Sequence, residues 1–222
     1  MLFRSKDRFW IANTLYVMTP GFNTSLVPKG TEPKTYEDLL DPRWKGKIAW
    51  TVPPANMLAP QFVGLVIAAM GEEKGKDYLR KLAAQGIVGH SVSGRQMLDL
   101  VIAGEFPLAL QIFNNHTVIS AARGAPSDWI PMEPALGLLS VASVTKFAPH
   151  PNAAKLLMEF LVSEEGQRLM AASCELPVHP RVPPNDPRLR PDSGNYRAVY
   201  FTPEELDAAL PRWFEIFKDI FR

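Results

Sequence analysis

Segments with the residue pattern of β-strands alternate with segments of helical pattern through most of this chain. Runs rich in aromatic and β-branched residues predict strands at residues 9–19, 47–52, 87–92, 106–113 and 138–147, with a turn after the first. Apolar residues at helical spacing predict helices at residues 56–70, 72–84, 93–105, 114–124, 151–162 and 164–173, and a last helix from 202. Because strands joined by helices usually run in the same direction, this order predicts an α/β fold with a mainly parallel sheet.

Residues typical of helix termini mark several of these helices. Ser93, Ser163 and Thr202 stand where a hydroxyl can accept a hydrogen bond from the first turn of a helix. Pro203 follows at the first helical position, and Pro211 predicts a kink in the last helix. In the helix at 151–162 we expect the apolar side chains to pack inward, namely Ala153, Leu156, Leu157, Phe160 and Leu161.

Three junctions between a strand and the next helix are polar: "WT" at 50–51, "HSVSGR" at 90–95 and "NNHT" at 114–117. In α/β sheets, ligands bind beyond the carboxyl ends of the strands, where helices begin. The junctions therefore predict a ligand site formed by these residues: Trp50, Thr51, Ser91, Ser93, Gly94, Arg95, Asn114, Asn115, His116 and Thr117.

Composition and charge exclude several function classes. The net charge is +1, from 24 basic and 23 acidic residues without a long charge run, which argues against binding nucleic acid or an anionic membrane surface. The apolar stretches fall short of the roughly 20 residues that span a membrane. Cys174 is a single cysteine, which rules out an internal disulfide and a cysteine-based metal cluster. Charged residues within positions 4–8 and the missing apolar segment argue against a signal peptide.

The motifs that would indicate an enzyme are incomplete. "GHSVSG" at 89–94 approaches the G-x-S-x-G nucleophile elbow, but Ser93 stands where the second glycine is needed. No phosphate-binding glycine motif follows a strand, and Cys174 has no nearby histidine. None of the four histidines has a partner at metal-binding spacing: His90, His116, His150 and His179. The sequence therefore favours a binding protein without a cofactor over an enzyme.

Four segments together resemble a known family. They are "NTSLV" at 23–27, "PKTYEDLLDPRWKGKIAW" at 33–50, "AGEFPLAL" at 103–110 and "TKFAPHPNAAKLLMEFLVSEEGQRLM" at 145–170. Their order resembles periplasmic solute-binding proteins of ABC importers, in the branch for ferric iron, thiamine, polyamines and phosphonates. The resemblance implies the type II periplasmic-binding-protein fold, a small-molecule solute held between two lobes, and a membrane permease as partner.

Mapped onto this chain, the resemblance implies three parts. Residues 1–23 would supply a strand of lobe 1 and the first crossing between lobes, and residues 24–132 would form lobe 2. Residues 133–222 would cross back and complete lobe 1 with helices. The first part of the family pattern has no counterpart here, so we expect an incomplete first lobe, exposed apolar surface, and a homo-oligomer or swapped assembly. A truncated fragment that does not transport is an alternative.

The resemblance also bears on the solute. Iron-binding members carry two adjacent tyrosines after a pair of asparagines, whereas His116 and Thr117 stand there in this chain, which argues against ferric iron. Trp50 would supply a stacking wall and Thr51 a hydroxyl. The remaining groups are amides, hydroxyls, a helix N-terminus at 91–94 and Arg95, which suit a small organic anion.

Other readings remain open at this point. His116 is a candidate ligand for a divalent metal, and a cation is the alternative solute. Sensor domains of transcription regulators and some enzymes share the two-lobe fold, but no helix-turn-helix segment or paired acid and base is evident in the sequence. For the parent protein we expect a periplasmic location.

Overall fold

The computed structural model describes residues 4–7, 9–191 and 196–221. The strands in these residues are β1 Ile11–Asn23, β2 Ile48–Thr51, β3 Val88–His90, β4 Leu108–Phe113, β5 Ser127–Trp129, β6 Ala135–Ala142, β7 Leu176–Pro177 and β8 Ala198–Tyr200. The helices are α1 Leu58–Met70, α2 Glu72–Ala83, α3 Gly94–Ala103, α4 Asn114–Ala121, α5 Pro151–Val162, α6 Glu164–Ala172 and α7 Pro203–Ile220. The α/β class is confirmed. The charged N-terminal segment lies partly outside the described residues.

The sheet is mixed, which corrects the prediction of a mainly parallel one. Its strand order is β3-β2-β4-β1-β6-β8, and β5 and β7 also pair with β1. β2 runs parallel to β3 and β4, and β6 runs parallel to β8, but every partner of β1 is antiparallel to it. The alternation of strands and helices predicted the parallel pairs correctly, and it gave no signal for one long strand that crosses the sheet in the opposite direction.

β1 is longer than predicted because it continues through Pro20 and Gly21. A Cβ atom on Gly21 would lie 2.8 Å from Ile112 of β4, so glycine permits the close approach of these two strands. The register shifts between Thr19 and Gly21, which lets the strand pass the proline without ending. The first half of β1 pairs with β6 and β7, and the second half pairs with β4 and β5.

The C-terminal helix packs on α1 rather than with the other helices of residues 133–222. Trp213 and Phe217 of α7 are buried in the same core cluster as Trp50 and Phe62. A Cβ atom on Gly64 would lie 2.5 Å from the Trp213 ring, so the glycine lets α1 and α7 approach closely. α7 therefore packs on the core cluster that contains α1 and β2, and the expected division of the chain into lobes stays a prediction.

α5 contradicts the expectation that its apolar residues pack inward, because none of its residues is buried. Leu156 is 67% exposed, Leu157 is 57% exposed and Phe160 is 40% exposed. No described element covers this side of the helix, and the partly buried side faces the rest of the protein instead. The helix itself was predicted correctly, but the prediction that its apolar side chains are buried was wrong.

The predicted helix starts are confirmed. Ser93 and Thr202 each form a capping box at the start of α3 and α7, and the Ser163 hydroxyl accepts from the Gly166 amide at the start of α6. Pro211 lies inside α7. In the part of the chain that the structure describes, no helix is long and apolar enough to cross a lipid bilayer.

Candidate functional site

The carboxyl ends of β2, β3 and β4 lie at one edge of the sheet. Thr51 pairs with His90 in the parallel β2–β3 ladder, and β4 runs parallel to β2 on its other side. The three polar junctions predicted from the sequence lie at these strand ends: 50–51 close β2, 90–95 start at the last residue of β3, and 114–117 follow β4. The structure therefore brings the predicted residues to a common edge.

Several of these residues support the edge rather than face an open site. Trp50 is 2% exposed, and the centroid of its ring lies 4.5 Å from that of Phe221, which directly follows α7. The Thr51 hydroxyl donates to the Asn56 side chain at 3.1 Å, and the Ser91 hydroxyl accepts from the Ala55 amide at 3.1 Å. These bonds hold the segment after β2 against the segment after β3.

The start of α3 contributes one positive charge. Gly94 is buried, and a Cβ atom there would lie 3.3 Å from the Phe113 ring, so a small residue fits best. The Arg95 guanidinium donates to the Ser120 hydroxyl of α4 at 2.9 Å and to Asp99 at 2.6 Å. Its side chain remains 43% exposed, so Arg95 links α3 to α4 and still faces solvent.

The start of α4 contains buried polar atoms without hydrogen-bond partners among the described residues. Asn114, Asn115 and Thr117 are 0% exposed. The Thr117 hydroxyl donates to the Asn114 carbonyl at 2.6 Å, and the Asn114 amide donates to the Leu189 carbonyl at 3.0 Å. The Asn114 Oδ1 atom and both polar side-chain atoms of Asn115 are left without partners. Buried polar groups are nearly always paired, so this cluster requires additional partners such as water or a ligand.

His116 extends this cluster. Its ring packs edge-on against Phe113 with centroids 5.1 Å apart, and its Nδ1 atom is buried without a hydrogen-bond partner in the described ranges. Burial lowers the pKa of His116 below its usual value; the Arg95 charge adds to this effect and Asp99 opposes it. A neutral imidazole can accept or donate a hydrogen bond.

Tyr16 and Glu175 were not predicted from the sequence and lie beside this edge. The centroid of the Tyr16 ring lies 5.0 Å from that of Phe113, and the Phe113 ring also contacts His116. Burial raises the pKa of the Glu175 carboxyl, and hydrogen bonding to Tyr16 and Thr14 opposes that rise. Burial and the Glu175 charge raise the pKa of Tyr16. Alternation along β1 could have placed Tyr16 on one face with Thr14, but nothing in the sequence joins Glu175 to them.

The larger hollows of the surface lie elsewhere. A groove of about 740 Å³ is lined by residues that include Trp10, Val144 and Met158, and one of about 550 Å³ by residues that include Thr24 and Lys34. None of the ten predicted site residues lines either of them. Within residues 4–7, 9–191 and 196–221, no group of three or more His, Cys, Asp or Glu side chains is arranged to hold a metal ion.

A family model described as bacterial extracellular solute-binding protein matches residues 2–194, and the chain belongs to this family. Iron uptake protein A1 of Synechocystis sp. is 27% identical over 194 residues, which cover 82% of this chain and 53% of that protein. A putative 2-aminoethylphosphonate-binding periplasmic protein of Salmonella typhimurium is 27% identical over 209 residues, covering 88% of this chain and 57% of that protein. The chain thus spans about half the length of these relatives.

Solved structures share the fold. Iron-bound HitA from Pseudomonas aeruginosa has a TM-score of 0.77 at 24% identity, covering 98% of this chain and 71% of that one. The ferric binding protein from Campylobacter jejuni has a TM-score of 0.75 at 20% identity, covering 98% and 72%. The family resemblance seen in the sequence and the type II periplasmic-binding-protein fold are confirmed.

Proposed function

We propose that this chain is the solute-binding component of an ABC importer and that it binds a small organic anion at the carboxyl edge of β2, β3 and β4. The observation that carries the proposal is the cluster of unpartnered polar atoms at the start of α4, beside Arg95. By analogy with the relatives, we assign it a periplasmic location, a membrane permease as partner and no catalytic activity.

The physical argument concerns charge. The first backbone amides of α3 and α4 point outward from the helix starts, and the helix dipole favours an anion there. Arg95 adds a guanidinium group that Ser120 and the Asp99 carboxylate already orient, although the ion pair with Asp99 offsets part of its charge. The Asn115 amide and a neutral His116 supply donors that distinguish a polar solute from a simple ion. Carboxylate and phosphonate groups fit this set.

A second candidate solute is a divalent cation bound through the unpartnered Nδ1 atom of His116. Two of the relatives carry iron in their names, and one names a phosphonate. In this chain Tyr16 is a phenol near the edge, but the "NNHT" segment itself provides no phenolate for ferric iron. The donors are therefore better matched to an organic anion.

The two-lobe division is part of the proposal. Residues 1–23 and 133–222 would contribute to one lobe and residues 24–132 to the other, with α7 packed on the second lobe. The two halves of β1 support this division, because one half pairs with β6 and β7 and the other with β4 and β5. The exposed stripe of α5 supports association with a second copy of the chain. A shortened, non-transporting fragment is the alternative.

A ligand screen tests the proposal. Thermal shift and calorimetry against carboxylates, alkylphosphonates, polyamines and divalent metals should reveal binding to the organic anions. Arg95→Ala should weaken that binding by at least tenfold, because a charge-assisted hydrogen bond contributes about 1.5–3 kcal/mol.

The matched control is Arg168→Ala, because Arg168 forms an i,i+4 ion pair with Glu164 at the same 2.6 Å distance on α6. The control should bind anions as the unaltered chain does. Shifts caused by metals alone, and lost in His116→Ala, would contradict the organic-anion assignment.

A further inference from the structure

We infer that Asn56 is a positioning residue for the candidate site: its side chain joins the carboxyl ends of β2, β3 and β4 into one fixed edge. The consequence for binding rests on the proposed function, because the solute would meet the groups that this edge holds. Asn56 is assigned no contact with the solute. It lies outside the three polar junctions, so the sequence did not single it out.

The Asn56 side chain makes three hydrogen bonds. Its Oδ1 atom accepts from the Thr51 hydroxyl at 3.1 Å and from the Leu58 amide at 3.0 Å, and its Nδ2 atom donates to the Val92 carbonyl at 2.8 Å. The Leu58 amide can only donate and the Val92 carbonyl can only accept, which fixes the orientation of the side chain. The bond to Leu58 is a local turn that asparagine forms readily. The other two connect the last residue of β2 with the segment between β3 and α3.

The end of β4 is tied to this side chain through Leu58. Gln111 of β4 is 1% exposed, and its side chain donates to the Leu58 carbonyl at 2.5 Å. The Leu58 side chain also lies next to the start of α3, because a Cβ atom on Gly94 would be 3.9 Å from its Cδ1 atom. Asn56, Leu58 and Gln111 therefore form a continuous path across the three strand ends.

The Val92 carbonyl is the point at which this path reaches the anion-binding groups. Ser93 follows it as the N-cap of α3, and Arg95 lies in the first turn of that helix. Donors that are already held in place bind a ligand more tightly than donors that must be ordered on binding. Without the Asn56 bond, the start of α3 could move relative to β2, and the Arg95 guanidinium and the first helix amides would lose their fixed arrangement.

Asn56→Ser separates the local turn from the link between segments. A serine hydroxyl can still accept from the Leu58 amide, but the side chain is too short to reach the Val92 carbonyl as well. We expect amide hydrogen exchange within residues 91–97 to become at least tenfold faster in this variant, in the absence of any ligand. Unchanged exchange rates would overturn the link itself, whether or not a solute binds.

The matched control is Asn23→Ser. Asn23 makes the same two kinds of bond beside the start of β4, accepting from the Ser25 amide and donating to the Val101 carbonyl, both at 2.8 Å. This variant should speed exchange around residues 23–26 instead. Its affinity for anions should stay within twofold of that of the unaltered chain, at a temperature where both are fully folded.

Calorimetry with ethylphosphonate and butanoate measures the consequence for binding. We expect Asn56→Ser to weaken binding of either probe at least fivefold. Arg95→Ala should cost at least tenfold in the unaltered chain but less than threefold in the Asn56→Ser background, because the guanidinium is then no longer held in place. A residue that only stabilises the fold would not be coupled to Arg95 in this way.

The outcomes separate this inference from the proposed function. If the unaltered chain binds no anion of the screen, the organic-anion function fails, and the exchange rates alone decide whether Asn56 holds the edge. Affinity within twofold in Asn56→Ser, or strictly additive losses with Arg95→Ala, would overturn the positioning role and leave the function standing. An equal loss of affinity in Asn23→Ser would also overturn it, because the effect would then follow stability in general.

Discussion

Single residues at the start of α4 serve both the scaffold and the candidate site. Asn114 binds the Leu189 carbonyl and the Tyr196 hydroxyl, which ties the helix to the segment before β8. Asn115 is as deeply buried, yet its amide has no partner in the described part of the chain. The sequence identified this segment as polar at a strand end. It could not separate the asparagine that holds the fold from the one whose side chain has no partner among the described residues.

His116 should make stability depend on pH in a defined direction. Its pKa is lowered in the folded state, so the unfolded chain takes up the proton first as the pH falls. The contribution of His116 to the free energy of unfolding is therefore complete above the unfolded pKa of about 6.5, and it is lost as the pH falls through the folded pKa. We expect His116→Gln to flatten the decrease in urea midpoint between pH 7.5 and 5.5.

The matched variant for this measurement is His150→Gln, at an exposed position before α5, which should keep the decrease of the unaltered chain. A decrease of unchanged size in His116→Gln would show that other groups, such as Glu175, dominate the pH dependence.

Helices were predicted well as elements and less well in their packing. The periodicity of α1, α3, α5 and α6, together with the serine caps, is local information that the chain carries in any environment. Which side of a helix becomes buried depends on what lies opposite. α7 packs against α1 because Gly64 leaves room for the Trp213 ring. No residue of α5 is buried, so its apolar stripe has no packing partner among the described elements.

The contact between α1 and α7 predicts a large effect from a small substitution. Gly64→Ala places a methyl group about where the Trp213 ring lies, at 2.5 Å from it. We expect overpacking to reduce the free energy of unfolding by about 1–3 kcal/mol in urea titrations, despite the better helix propensity of alanine.

Two further variants establish the cause. Ala68→Ser, at an exposed position on α1, should stay within about 0.5 kcal/mol of the unaltered chain. In a chain that already carries Trp213→Leu, Gly64→Ala should reduce the free energy of unfolding much less than it does alone, because the smaller side chain leaves room for the methyl group. Strict additivity of the two changes would count against a direct clash.

At the scale of the whole molecule, β1 joins two groups of strands and α5 leaves an apolar surface open. One strand with antiparallel partners along both halves makes the sheet continuous from β3 to β8. Side chains from the second half of this strand join one core cluster and those from its first half join another. No helix of the described residues buries Leu156 and Leu157 of α5. Exposed apolar patches of this kind mark contacts with other chains.

The open surface predicts self-association of this chain. At micromolar concentration, light scattering coupled to gel filtration should give a mass above the 24.7 kDa of the monomer. Leu156→Ser combined with Leu157→Ser should return the mass to that of a monomer, because these side chains are 67% and 57% exposed. Their removal should change the free energy of unfolding by about 0.5 kcal/mol or less.

Leu26→Ser is the matched control, because Leu26 is 50% exposed on another part of the surface. This variant should associate as the unaltered chain does. A monomeric mass for the unaltered chain would remove the assembly from the proposed function and leave the solute site unaffected.

The sequence by itself determined the elements, their caps and the family. Hydrophobic period, hydroxyl caps and glycine stops are local properties, and the motifs at 33–50 and 145–170 were specific enough to imply the fold. It also identified the three strand ends that meet at the candidate edge, because parallel strands must share an edge.

Only the tertiary structure decided which residues meet there. Tyr16 and Glu175 are far apart in the chain, and β7 brings them together by pairing with Thr14 and Leu15 on β1. The antiparallel course of β1, the position of α7 on α1 and the uncovered side of α5 depend on contacts between distant segments. Local patterns encode how each segment folds; the shape and charge of its neighbours determine which of its faces becomes core, site or surface.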